Sequence, residues 1–298
     1  MPIEDIRFDS DGCSLAGTLV EVTEPVAAAL VLPGSGRINR DSDMPKLPLG
    51  VTRVVADALA QVGVSSLRYD KRGVGASEGD YLTTGMTQRR EDARAALRWW
   101  AARNPGVPLL VVGHSEGALH ATELATEDGV AGVVLLAMPA RPGEDVLAWQ
   151  TRMLADRLPP SARAITRVLH IDVVRLQRKN MERVRASDQD VLRLQGTKVN
   201  ARWLREFMAY DPRGALAKIT VPVLAITGAQ DMQVPAGDVA TMGELVAGPF
   251  DGHVVAGLSH LLRSDPDGVG PRGYRKAVRQ PVSPEALTLI TDWIRHRP

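Results

Sequence analysis

The chain is poor in the features that mark several large classes of protein. Among its 298 residues there is one cysteine, Cys13. That rules out an internal disulfide and any cysteine-built zinc site, and it fits a reducing compartment. Neither sign of charge dominates: 36 Lys and Arg face 35 Asp and Glu, for a net charge of +1. A general nucleic-acid or polyanion binder carries a strong basic excess, and this chain has none. No apolar run approaches the ~20 residues that span a bilayer. The longest, such as 130–140, have the length of buried strands. Residues 1–7 carry Glu4 and Asp5 where a secretory signal needs a basic stretch and then an apolar one. The expectation is a soluble, cytoplasmic protein without membrane or nucleic-acid partners.

What the chain does have is a core-forming alternation. At 44% hydrophobic, it suffices for one large core, and its length does not demand two domains. Residues 3–8 and 15–22 read as two strands joined by a turn at Asp11-Gly12. The pattern then changes to short, almost wholly apolar runs at 28–32, 65–69, 109–112, 133–137 and 223–227. Strands buried on both faces have this composition, and they belong to parallel sheets. Helical patterns lie between and after them at 51–61, 87–103, 118–126, 236–246 and 284–296. In the second of these, Ala93, Ala96, Leu97 and Trp100 share one face. The alternation predicts an α/β fold, a mostly parallel central sheet flanked by helices. It stops between about 139 and 212, a stretch that reads as helices only, with Ile165, Val168, Leu169, Val173 and Leu176 at helical spacing. The expected organisation is a core of 1–138 and 213–298 with a helical cap inserted at 139–212.

Gly113-His114-Ser115-Glu116-Gly117 follows the apolar run 109–112 and opens the next helix. This is the strand–turn–helix setting of a G-x-S-x-G nucleophile elbow, whose tightness excludes side chains at both glycines. Ser115 is the expected nucleophile. A hydroxyl needs a base, and the base needs a carboxylate to orient it, following in the order acid then His. Of six histidines, His260 lies in the loop after the last strand. His114 sits inside the elbow, His120 in the helix after it, His170 in the cap, His253 within the last strand and His296 near the end. Asp231 lies just past the 223–227 strand, where the acid belongs; Asp238 and Asp251 fit less well. For the oxyanion hole, one donor is the backbone N–H of Glu116. The second comes from Pro33-Gly34-Ser35-Gly36, with Ser35 N–H the first choice and Gly34 or Gly36 open.

Five segments together resemble a known family. They are Leu32 to Gly36, Arg68-Tyr69-Asp70-Lys71-Arg72-Gly73-Val74-Gly75-Ala76-Ser77, the elbow, Gly228-Ala229-Gln230-Asp231, and Gly257-Leu258-Ser259-His260-Leu261-Leu262. The chain is similar to bacterial α/β-hydrolase-fold esterases and acyl-hydrolases related to the S9/S33 serine peptidases. The resemblance covers about 28–126 and 221 to the end. It implies that Asp70 and Arg72 support loops at the floor of the site. Two departures are Pro33-Gly34 in place of the usual His-Gly and Ala118 where glycine is frequent.

The expected activity is hydrolysis of a carboxylic ester through an acyl-enzyme, with no cofactor and no metal. Thioesterase and aminopeptidase-type activities use the same machinery and stay open, as do non-hydrolytic acyl transfer and lyase chemistry. A binding protein on a hydrolase fold fits three intact triad positions poorly. Dehalogenases need Asp and dienelactone hydrolases Cys at the nucleophile, so Ser115 speaks against both. From 141 to 210 there are 14 Lys and Arg against 8 Asp and Glu, an excess of +6. The ordinary reading is a solvated surface. The sharper expectation is that side chains such as Arg152, Arg163, Arg167 and Arg175 face the cleft and favour a small anionic substrate.

Overall fold

The computed structural model describes residues 2–265 and 273–296. The chain opens with a hairpin, β1 (Ile3–Ser10) antiparallel to β2 (Cys13–Val20). Asp11 and Gly12 turn it with φ of 51° and 70°, the left-handed pair that a tight hairpin requires. Then β3 (Ala27–Leu32), α1 (Val51–Gln61), β4 (Val64–Tyr69), α2 (Met86–Arg103), β5 (Leu109–His114), α3 (Glu116–Leu124) and β6 (Val130–Leu136) alternate as expected. α4 (Gly143–Asp156), α5 (Pro160–Val168) and α6 (Val173–Arg185) follow. A second hairpin, β7 (Val191–Leu194) with β8 (Thr197–Asn200), leads to α7 (Ala201–Ala209) and α8 (Arg213–Leu216). The alternation resumes with β9 (Val223–Gly228), α9 (Asp238–Leu245), β10 (Phe250–Val255), α10 (Tyr274–Ala277) and α11 (Pro284–His296).

Eight strands form one sheet in the order β1-β2-β4-β3-β5-β6-β9-β10, antiparallel through β1, β2 and β4 and parallel from there on. The apolar runs are explained by what covers them. In β3, Ala28, Leu30 and Leu32 join the core under α2 and α3, while Ala27, Ala29 and Val31 join the opposite core under α1 and α11. Successive side chains point to opposite faces, and both faces are covered, so no position in the strand is polar. The face read in α2 is buried at all four positions, including Trp100. No helix among the described residues is long and apolar enough to cross a membrane.

The segment 139–212 differs from its reading in two ways. It is not helical throughout, because β7 and β8 pair from Val191↔Asn200 to Leu194↔Thr197. Strands of four residues alternate too briefly to stand out, and their turn is made by Gln195 and Gly196 at φ 44° and 80° rather than by an Asn-Gly or Asp-Gly signal. Nor does the apolar spacing in α5 and α6 mark a buried face. Ile165, Val168 and Leu169 are exposed, Val168 to 74%, and α5 buries no residue. The small core of the segment is Val184, Leu194, Ala201 and Met208.

Candidate active site

The site begins with the order of the strands. From β3 the chain goes to β4 on one side, then crosses to β5 on the other, which lies against β3 with Leu32 opposite Gly113. The carboxyl ends of β3 and β5 therefore diverge into a crevice. Ser115 stands at that crevice with φ 54° and ψ −115°, a backbone conformation held only where the surroundings enforce it. The enforcing contacts are backbone. A Cβ on Gly113 would lie 2.3 Å from Gly117 O, and one on Gly117 would lie 2.4 Å from Leu32 O. α3 starts at Glu116, so the Glu116 N–H has no acceptor within the helix and lies at its positive end. From the loop after β3, Gly34 presses against the elbow: a Cβ there would be 3.3 Å from Ser115 Cβ.

His260 and Asp231 come from the loops after β10 and β9. Nδ1 of His260 lies 2.8 Å from Oδ2 of Asp231. A carboxylate oxygen only accepts, so Nδ1 carries a proton, and in the neutral tautomer this selects, Nε2 is the nitrogen with the lone pair. The other oxygen, Oδ1, accepts N–H bonds from Gln233 and Val234 at 2.7 and 2.9 Å, which fixes the plane of the carboxylate. His260 shares a cavity of about 110 Å³ with Ser115, Gly34 and Ser35. A second cavity, about 40 Å³, has Ser35, Ser115, Glu116, Leu119, Leu147 and Trp203 among its walls. The alternatives lie elsewhere. His253 pairs with Asp251 at 2.9 Å on β10. Asp238 caps the region of Ala140 and Arg141. The buried His114 points its Nε2 at the carbonyl oxygen of His260, 2.8 Å away.

Sequence reasoning missed a buried ionic cluster behind the elbow. The Glu116 side chain accepts from Arg89 Nη1 at 3.0 Å and from the Trp203 indole at 2.8 Å, with His120 Nε2 at 3.5 Å. Burial alone would raise its pKa, but Arg89, His120 and Lys71 hold the carboxyl well below the usual range. The Lys71 ammonium donates to Gly34 O and Gly36 O, both at 2.7 Å. An acid directly after Ser115, at a position turned inward by the helix, was the available signal for this cluster. Asp70 and Arg72 hold loops as expected. Asp70 accepts from the backbone N–H groups of Arg40 and Ala76, and Arg72 donates to Asp92 and to Ser10 O.

Of the cap arginines, Arg152 lines a groove of about 310 Å³ between α4 and α6, and this groove shares Leu147 with the smaller cavity. Arg163, Arg167 and Arg175 line neither cavity at Ser115.

The family described as serine aminopeptidase, S33, matches residues 49–267. The esterase EstD of Thermotoga maritima is 27% identical over 279 residues, which is 93% of this chain and 64% of EstD; the chain thus spans less than two thirds of that relative. Among solved structures, Est1E of Butyrivibrio proteoclasticus with ferulic acid bound superposes with a TM-score of 0.64 at 16% identity, covering 98% of each chain. A Pyrococcus furiosus esterase gives 0.65 at 16%, covering 99% of this chain and 91% of the other. Both have the α/β-hydrolase fold, and so does this chain.

Proposed function

The chain belongs to the serine aminopeptidase S33 family, and on that footing we propose that it hydrolyses carboxylic esters of small molecules through an acyl-enzyme. The observation that carries this is His260, bonded to Asp231, sharing one cavity with a serine held in a strained elbow. Ser115 Oγ attacks the carbonyl carbon while His260 Nε2 takes its proton. Asp231 holds the imidazole in the required tautomer and stabilises the imidazolium. The N–H groups of Glu116 and Ser35 receive the oxyanion. His260 then returns the proton to the leaving alcohol, and water repeats the sequence on the acyl-enzyme.

Esters are favoured over peptides by a specific feature of the walls. An aminopeptidase needs a carboxylate to receive the substrate's ammonium group. Glu116, the acid on the wall beside Ser115, is already committed to Arg89 and Trp203. The names of the relatives agree: EstD and the Pyrococcus protein are each called esterases. The 139–212 segment acts as the cap, since Val146, Leu147 and Gln150 of α4 and Trp203 and Phe207 of α7 roof the smaller cavity. The buried Cys13 suits the cytoplasm.

A fluorophosphonate should label Ser115 alone. Ser115→Ala should abolish labelling and leave only a residual ~10³–10⁴ over water from binding and the oxyanion hole. A panel of p-nitrophenyl esters run beside acyl-CoA and aminoacyl substrates should give the highest kcat/KM for an ester. Full turnover by the alanine variant sinks the mechanism; preference for a thioester or aminoacyl substrate moves the chain to those activities.

A further inference from the structure

Lys71 is a charged side chain in a place where charge is costly. It is buried, and burial lowers its pKa to about 7 even though Glu116 pulls the other way. A lysine kept in such a position needs a compensating role. Its Nζ bridges two carbonyl oxygens of one short loop, Gly34 O and Gly36 O, each at 2.7 Å. Ser35 lies between them.

The geometry of the peptide bond turns that bridge into an aiming device. The unit joining Gly34 to Ser35 is planar and trans, so its C=O and N–H point in opposite directions. A donor that fixes Gly34 O on one side therefore fixes Ser35 N–H on the other. Gly34 already packs against Ser115, and Ser35 and Ser115 line the same two cavities. Hydrogen bonding to the carbonyl also polarises the amide and strengthens its N–H as a donor. Protonated or neutral, the lysine nitrogen keeps at least two N–H bonds for its two carbonyls, so the bridge survives titration.

We propose that Lys71 is a positioning residue that aims the Ser35 N–H into the oxyanion hole by holding the Gly34 and Gly36 carbonyls from behind. This rests on the ester-hydrolase reading with Ser35 as an oxyanion donor. Lys71 itself touches no substrate.

Two substitutions and their combination test it. Lys71→Met keeps the length of the side chain and removes both donors. It should lower kcat about 10²–10³-fold, the usual effect of losing one oxyanion donor, with KM changing less than about threefold, since the interaction exists only in the transition state. Binding of a phenylboronic acid should weaken in parallel. Ser35→Pro, which deletes the N–H, should lose a similar factor. In the Ser35→Pro background, Lys71→Met should then cost little, because no N–H is left to aim. A merely structural lysine would give additive losses and a rise in KM. If the methionine variant does not fold, Lys71→Gln, with a shorter and uncharged donor, carries the same cycle. A folded Lys71 variant with unchanged kcat, or losses that add, overturns the proposal. Fluorophosphonate labelling of the parent protein at Ser115 separates that failure from a failure of the hydrolase reading itself.

Discussion

Trp203, on α7 of the inserted segment, donates its indole N–H to Oε1 of Glu116 at 2.8 Å, directly beside Ser115. The residue after Ser115 thus ties α7 to the start of α3, where Trp203, Glu116 and Ser115 line one cavity. Arg89 from α2 holds the same carboxylate, and the Trp203 ring stacks on Phe207 at 4.9 Å. Three elements distant in sequence therefore meet on one buried side chain.

Trp203→Phe keeps a ring for the Phe207 stack and removes the tie. A hydrogen bond to a charged acceptor contributes about 1.5–3 kcal/mol, so the variant should unfold at a lower temperature. kcat/KM should fall several-fold as the roof loses its register over Ser115. Unchanged melting and activity would show that the indole bond holds nothing.

His260→Ala should be about as damaging as Ser115→Ala, because the two act as one unit and their losses do not add. His253→Ala should cost little turnover, since that histidine is engaged with Asp251 on β10. For the same reason Asp231→Asn should lose far more activity than Asp251→Asn. The kinetics of the five variants on one p-nitrophenyl ester decide it; a dead His253 variant beside an active His260 variant reverses the assignment.

The parts legible in the sequence are those where local chemistry and the global fold ask for the same residues. Strands covered on both faces must be apolar throughout, so β3 and β5 announced themselves. The elbow glycines are demanded by backbone contacts under 2.5 Å that no side chain survives, and a motif records that demand. The contact between Asp231 and His260 at 2.8 Å joins the two residues that the chain order singled out after Ser115. Lys71, Arg89 and Trp203 carry no such local mark. Each is a polar or aromatic residue whose partner lies 27 or more residues away, and only the folded chain brings the partners together. The content of residues 139–212 was not legible, because a hairpin of four-residue strands leaves too short an alternation and α5 turns its apolar side outward.

The basic excess of the inserted segment should act only on substrates long enough to reach it. Among the described residues lining the cavities at Ser115 there is no Lys or Arg, whereas Arg152 lines the adjoining groove behind Leu147. A long-chain ester ending in a free carboxylate should beat its neutral isostere in kcat/KM at low salt. The advantage should shrink as the Debye length falls from ~30 Å at 0.01 M to ~8 Å at 0.15 M. Arg152→Gln should remove it, and short esters should show none. Equal rates for the long pair at low salt would return the charge to the role of a solvated surface.

The buried His114 should make the protein sensitive to acid. The ring is buried within the elbow, where Nε2–H donates to His260 O and Nδ1 has no partner among the described residues. Burial first, and then the neighbouring His260, push its pKa down to about 3. An unfolded histidine titrates near ~6.5, so between these values the unfolded chain binds a proton that the folded chain refuses. Stability from a neutral His114 is therefore complete above about pH 6.5 and is lost as the pH falls toward 3, at up to about 1.4 kcal/mol per pH unit. From pH 7 to pH 5 that amounts to about 2 kcal/mol. His114→Gln keeps an N–H donor at similar reach and cannot titrate. Urea unfolding of both proteins at the two pH values should show the variant losing about 2 kcal/mol less than the parent. His120, whose pKa burial also lowers, titrates in both proteins and cancels from the difference. Equal pH sensitivity would mean that His114 either accepts a proton in the folded state or is reached by water, and its burial would then not keep it neutral.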